Sequence, residues 1–404
     1  MKNNLKFTII AVLIISLSGA VSCKKDFLAP QPLSFYEPSL TFVDAAAMRA
    51  GLVTLARNLR FEYYGGNPAI LTEMLFTEIA VEGTTDKAGP AQDLNTLITP
   101  DLVTFNNDDR NKIYVYWQEG YNGIKYANTI ISRIDNATYA TPAERNEILG
   151  AAYFHRALRY YKLTHQFGDV PAIMKEITTA RVDFFSVKKD VILQQIKLDL
   201  DSALLWTKDA VNKGEVTKGA VAHLLTKVNL ALGNFDEAIT AANTVIDGNV
   251  YSLMKIPFGS AAPPSILTAG NPVPRELPKN VIWDLHRPEN KSLAANKEGL
   301  FMLIDRFGEG QYGMGMTIMR QAVAFWGGVN VRTPSGNRGL NDDVKQQFIE
   351  SNLYGRGIGR TRPSNYAQYE IWNDPNDLRH AKGNWINMEA VSYTHLTLPT
   401  ICSV

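Results

Sequence analysis

A chain of 404 residues with 41 Lys and Arg against 40 Asp and Glu has no basic field with which to attract nucleic acid. Its hydrophobic share of 45% is that of a globular protein, long enough for one large or two smaller domains. Only two cysteines, Cys23 and Cys402, are present, which excludes a disulfide framework and a cysteine-based zinc site.

Residues 1–22 read as a signal peptide. Lys2 and Lys6 form a positive start, residues 7–17 are an apolar run, and Ser18 to Ser22 are small. The run is too short for a transmembrane helix, which needs about 20 apolar residues. Removing residues 1–22 takes away two lysines and no acids, leaving 39 basic and 40 acidic residues. Ala20-Val21-Ser22-Cys23 is similar to a bacterial lipobox, with Ala20 where leucine is commoner. Cys23 is therefore expected to carry lipid, and more than one acyl chain suffices for stable anchoring. Residues 23–40, with Pro30, Pro32 and Pro38, read as an extended tether.

Helical patterning dominates residues 41–255. Residues 43–61 are rich in alanine and leucine, with Asp44 placed to cap a helix. Residues 68–82 carry Ile70, Leu71, Met74, Leu75 and Ile79 in a helical stripe, which predicts a second helix. Residues 83–108 read as loop, and 113–135 as a long amphipathic helix. Thr141, Pro142 and Glu144 open the next helix with a capping box and a first-turn proline, and Gly168 ends it. Tyr153, Ala157, Tyr160 and Tyr161 are spaced for one of its faces. Residues 188–210 predict a further helix. Residues 217–248 predict a helix, a tight turn at Gly233-Asn234 and a second helix. Ala222, Gly233, Phe235, Ala238 and Ala242 follow the order of a tetratricopeptide repeat, in which Phe235 is expected to fill the gap between the helices. The fold class is thus mostly α: a tetratricopeptide-repeat-like helical bundle, with residues 256–390 as an irregular, loop-rich binding region.

Taken in order, these segments resemble the SusD/RagB-like outer-membrane lipoproteins. The resemblance rests on Cys23 with residues 26–32, on residues 81–86, and on residues 117–134 with their internal Ala127-Asn128. Its most specific stretch is 147–171, with Arg156-Ala157, the tyrosine pair and the closing Phe167-Gly168-Asp169-Val170-Pro171. Residues 217–253, 280–287 and 373–380 supply later landmarks. The last 14 residues, 391–404, carry no Asp, Glu, Lys or Arg, and their start resembles a transposon-end sequencing adapter in translation. The native sequence is expected to continue past Ala390 with the helix that completes the repeat bundle in this family.

The resemblance implies binding rather than chemistry. It implies an outward-facing, lipid-anchored outer-membrane protein that binds glycans or oligosaccharides and passes them to a SusC-like TonB-dependent transporter. A peptide-binding member of the family, or a non-catalytic envelope scaffold, is the alternative. The residues agree, because a helical repeat scaffold brings a broad surface and no reaction centre. No cofactor, metal or nucleic acid is expected. Sugar rings stack on aromatic side chains, so Tyr312, Trp326, Tyr366, Tyr369 and Trp372 are the stacking candidates. Asn330, Arg332 and Asp86 are the hydrogen-bonding candidates, Asp86 because the family's ligand site borders the loop after the second helix. Gly308, Gly310 and Gly313 have the spacing of a dinucleotide fingerprint, but no βαβ pattern surrounds them. His155 and His165 are ten residues apart and off a shared metal-binding face. Glu78 and Glu82 read as a solvated helix face rather than an acid pair.

Overall fold

The computed structural model describes residues 38–65, 68–83, 113–259, 280–305, 318, 321, 359 and 361–381. Cys23, Asp86, Tyr312, Trp326, Asn330 and Arg332 lie outside the described residues, as do the signal peptide, most of the tether, the glycine trio at 308–313 and the tail at 391–404.

The scaffold begins with α1 (Ala45–Tyr63), whose first free amides are met by Asp44, which accepts from the Ala47 amide. A single turn, α2 (Ile70–Met74), follows, and then a short strand, β1 (Ala80–Glu82). The expected helix over 68–82 is therefore not formed. Its apolar stripe is sufficient for one turn, after which β1 pairs antiparallel with a strand nearly three hundred residues away. Long-range pairing overrides local periodicity here, and Glu82 stands on a strand rather than on a helix face.

Five long helices then pack in chain order, each on the next: α3 (Ile113–Arg133), α4 (Pro142–Phe167), α5 (Lys189–Trp206), α6 (Lys218–Leu232) and α7 (Phe235–Ile246). Helix α1 packs against α3 and α4. The caps are those the sequence carries. Thr141 accepts from the Glu144 amide, and the Glu144 carboxylate accepts from the Ala140 amide. Gly168 and Gly233 end α4 and α6 with positive φ of 74° and 77°, which side chains with a Cβ rarely adopt. Between α4 and α5 lies a two-stranded ribbon of β2 (Val170–Pro171) and β3 (Ser186–Val187). Helices α8 (Val281–His286) and α9 (Pro288–Lys291) are short, and β4 (Thr361–Pro363) completes the pair with β1.

The main core lies between α4, α5 and α6, around Tyr160, Leu163, Ile192, Ile196, Leu200, Val221 and Val228. A second cluster of Met48, Leu55, Ala127, Ile130 and Ile148 joins α1, α3 and α4. Of the tyrosine face predicted on α4, Ala157 and Tyr160 are fully buried, while Tyr153 and Tyr161 are half-buried against the same core. The repeat pair differs from expectation at two side chains. Ala222 and Ala238 are buried where α6 meets α7, but Ala241 is buried there in place of the half-buried Ala242, and Phe235 is 64% exposed and fills no gap. It is the first residue of α7. Ile239 and Ile246 are exposed with it.

Two polar clusters cross the apolar layers. Glu62 on α1 accepts from Arg159 and Lys162 on α4, while Asn58 binds Arg159 and donates to Glu119 on α3. Gly123 lets these helices approach. A Cβ there would stand 2.6 Å from Arg159 Nε and 2.8 Å from Asn58 Oδ1. The second cluster centres on Arg156, which makes two bonds of 2.7 Å to Asp199 on α5 and donates to Asn128 Oδ1 and to the Met174 carbonyl.

Candidate ligand-binding surface

The β1–β4 pair joins two segments that carry predicted binding residues. Ala80 pairs with Pro363 and Glu82 with Thr361, so the end of β1 that leads toward Asp86 lies beside the start of β4. The other end of β4 runs straight into a single π-helical turn, Tyr366–Glu370. Ser364 fixes that junction. Its hydroxyl binds the Glu78 carbonyl and accepts from the Ala367 amide, while its own amide donates to the Ile79 carbonyl. The turn cannot rotate away from β1 without breaking these bonds.

Three predicted stacking residues sit within seven positions of each other here. Tyr366 and Tyr369 are 50% and 55% exposed, so their rings are open to solvent. Trp372 is engaged within the protein. Its indole Nε1 donates to the Ala367 carbonyl at 2.8 Å, and its ring stacks on His380 with centroids 5.0 Å apart and planes 14° apart. The Arg379 guanidinium also lies against it. Arg379 in turn bonds Asp377 through its side chain and its amide, which holds the Asp377 carboxyl down at about 2. Trp372 thus braces the turn, and the two tyrosines are its outward rings. Phe76, Ile79 and Val81 are also exposed on the segment that Ser364 ties to the turn.

Two concavities lie elsewhere on the helical scaffold. One, of about 710 Å³, is walled by α1, the first half of α4 and residues 211–216, with Met302 and Ile304. His155 lines it, is 3% exposed, and makes ring contacts with Phe154 and Phe301. Burial, with Arg159 adding, pushes its imidazole down to about 3. His155 is therefore a neutral packing group at physiological pH.

The other, of about 750 Å³, is a groove between α3 and the segment that leads from β2 toward β3. It brings Trp117 and Tyr121, one helical turn apart on α3, across from Phe184. Sequence reasoning missed it. The one-turn spacing of Trp117 and Tyr121 was the available signal, but nothing local tells where Phe184, more than sixty residues on, will be placed. No group of three or more His, Cys, Asp or Glu able to hold a metal ion occurs among the described residues.

With this geometry in hand, comparison with known proteins is specific. A SusD-like family described as "Starch-binding associating with outer membrane" matches residues 61–230, from the end of α1 to the last turn of α6. SusD-like protein P2 of Formosa agariphila is 27% identical over 239 residues, 58% of this chain and 45% of that protein. SusD-like protein P25 of the same organism is 22% identical over 142 residues, 34% of this chain and 27% of that protein. The chain thus spans less than half the length of the curated relatives it matches. A SusD-like carbohydrate-binding protein of Bacteroides fragilis has the same fold, with a TM-score of 0.51 at 17% identity, over 71% of this chain and 50% of that one.

Proposed function

We propose, for a chain that is SusD-like in its helical scaffold, that it is a surface-exposed lipoprotein which binds oligosaccharides and delivers them to a SusC-like TonB-dependent outer-membrane transporter. The observation that carries this reading is the braced turn with its two outward tyrosines, Tyr366 and Tyr369. Rigid, half-exposed aromatic rings offer the apolar faces that sugar rings stack on, at little conformational cost. The description of the matching family, starch-binding and outer-membrane-associated, supports the same reading. Lipid on Cys23 and an extended tether would keep such a binding protein at the membrane while it moves against its transporter.

Two experiments test it. Titration of the protein with neutral oligosaccharides, read by calorimetry, should show binding that Y366A/Y369A weakens about tenfold with no change in melting temperature, a loss of ~1.4 kcal/mol. Purification of the tagged protein from gently extracted outer membranes should bring down a barrel transporter in equal amount. Absence of both ligand and barrel would defeat the proposal.

A second reading, a non-catalytic scaffold, is favoured by one specific feature. Val191, Leu198 and Leu205 form an exposed stripe along α5, and Phe235, Ile239 and Ile246 form another along α7. Exposed apolar stripes mark surfaces that other protein segments cover. Barrel co-purification without any ligand would favour that reading.

A further inference from the structure

We infer that the groove between α3 and the β2–β3 connection is a second carbohydrate subsite, built for acidic sugars such as uronates. The inference rests on the glycan-binding reading above and assigns a different surface and a narrower ligand class. The groove's volume, about 750 Å³, is within the roughly 300–1,000 Å³ typical of ligand clefts. One wall is Trp117 and Tyr121, with ring centroids 5.0 Å apart. Phe167 holds Trp117 edge-on at 5.2 Å, and the Tyr121 hydroxyl donates to the Pro171 carbonyl at 2.9 Å. Trp117 nevertheless remains 41% exposed. Phe184, 39% exposed, faces from the other wall. The held rings of Trp117 and Tyr121, faced by Phe184, form a slot for flat, partly apolar rings.

The charge at the rim selects among such rings. Lys125, Lys175 and Arg181 line the groove, and no Asp or Glu is among the described residues that do. Arg181 is paired with Asp183 at 2.9 Å, just outside the lining. Lys125 and Lys175 form no ion pair with any described residue. Lys125 instead rests 5.0 Å over the Tyr126 ring. Two unpaired ammonium groups at the mouth of an aromatic slot fit a ligand that combines ring faces with carboxylates, because charge-assisted bonds to carboxylate are stronger than neutral ones. Asn122, Thr178 and Thr179 add donors and acceptors for hydroxyls.

The slot is also pre-formed. Asn128, fully buried on α3, donates to the carbonyls of Ile173 and Lys175, and Arg156 donates to that of Met174. Tyr160 adds a bond from its hydroxyl to the Ile173 carbonyl. Glu176 is tied to Arg133 at 2.9 Å. The first part of the second wall, residues 173–176, is therefore stitched to α3 and α4, so ligand would pay little to order that part.

The test is titration of the full chain with hexagalacturonate, with a neutral hexasaccharide, and with an acidic hexapeptide, followed by calorimetry and tryptophan fluorescence. Hexagalacturonate should bind, and K125A/K175A should weaken it about tenfold with the melting temperature unchanged. Its affinity should fall as ionic strength rises from about 0.01 to 1 M, over which the screening length shrinks from about 30 to 3 Å. Trp117→Ala should remove the fluorescence change. Hexagalacturonate binding that is absent, or indifferent to K125A/K175A, overturns the inference, and so does equal or tighter binding of the peptide at this groove. If the neutral hexasaccharide still binds in a manner sensitive to Y366A/Y369A, the broader function survives that failure. If neither saccharide binds, both fall.

Discussion

Replacing Asp199 with alanine should cost the protein about 3–5 kcal/mol, the usual price of breaking a buried ion pair from one side. Arg156 and Asp199 are 4% exposed each. Of the five guanidinium N–H groups, two meet Asp199 at 2.7 Å, and two more meet the Asn128 side chain and the Met174 carbonyl at 3.0 and 2.9 Å. The D199A change leaves the full charge in place with half its acceptors and no counter-charge. Arg156→Met costs a similar amount for a different reason. It strands the Asp199 carboxylate, and it also leaves Asn128 Oδ1 and the Met174 carbonyl without a donor, at about 1–3 kcal/mol for each such group. The double change R156M/D199L removes both charges at once, so it should cost clearly less than the two single changes added together. Urea unfolding followed by tryptophan fluorescence measures all three, given that stabilities of about 5–15 kcal/mol leave the single variants folded in an osmolyte such as sucrose. The coupling should be at least ~2 kcal/mol. A D199A loss under ~1 kcal/mol, or simple additivity in the double variant, would refute the view that this pair acts as one buried unit.

Three other outcomes follow from single features. His155 is held neutral in the fold at about 3, against an ordinary 6.5, so its contribution to stability is full above pH 6.5 and is lost as pH falls toward 3. By pH 5 that loss is about 2 kcal/mol, and H155L should flatten that part of the pH dependence in urea midpoints measured at pH 7 and 5. Gly123→Ala drives a Cβ into Arg159 and Asn58, which Glu62 and Glu119 hold in place, and should lower stability by about 1–3 kcal/mol in the same urea assay. Phe235→Ser with Ile239→Ser removes two side chains that are 64% and 59% exposed, so it should change stability by less than ~0.5 kcal/mol. The same change should raise the monomer fraction in size-exclusion chromatography, because those side chains form an exposed apolar face.

Sequence sufficed for the helices whose ends are chemically marked. Thr141, Pro142, Glu144 and Gly168 bracket α4, and Gly233 separates α6 from α7, because each residue does locally what its side chain or backbone permits. It failed where a distant partner decides. The stripe from Ile70 to Ile79 looks helical, yet β1 is fixed by β4, to which the intervening sequence gives no local clue. Phe235 has the position of a gap-filler in a repeat, but its place in the sequence does not show that α6 leaves it uncovered. The binding surface divides in the same way. Tyr366, Tyr369 and Trp372 could be picked out as aromatics in one short stretch, but only the hydrogen bond to Ala367 and the stack on His380 separate the brace from the two open rings.

The Arg156 cluster carries this reasoning furthest. In the sequence, Arg156-Ala157 and Ala127-Asn128 are two landmarks of a resemblance, with no visible reason to occur together. In the fold they meet: Asn128 Oδ1 accepts from Arg156, and both side chains reach carbonyls of residues 173–175. That segment has only the two-residue β2–β3 ribbon as regular structure, so its carbonyls have few backbone partners of their own. Buried side chains from two helices supply them. A polar pair of residues in an otherwise apolar helix face is thus the signature of an irregular segment that must be held still, and that segment is the wall of the groove. On this argument D199A should do more than destabilise. By loosening Arg156 it should also weaken hexagalacturonate binding under conditions where the protein is still fully folded, whereas Gly123→Ala, also destabilising but set in the Glu62 cluster, should leave the affinity unchanged.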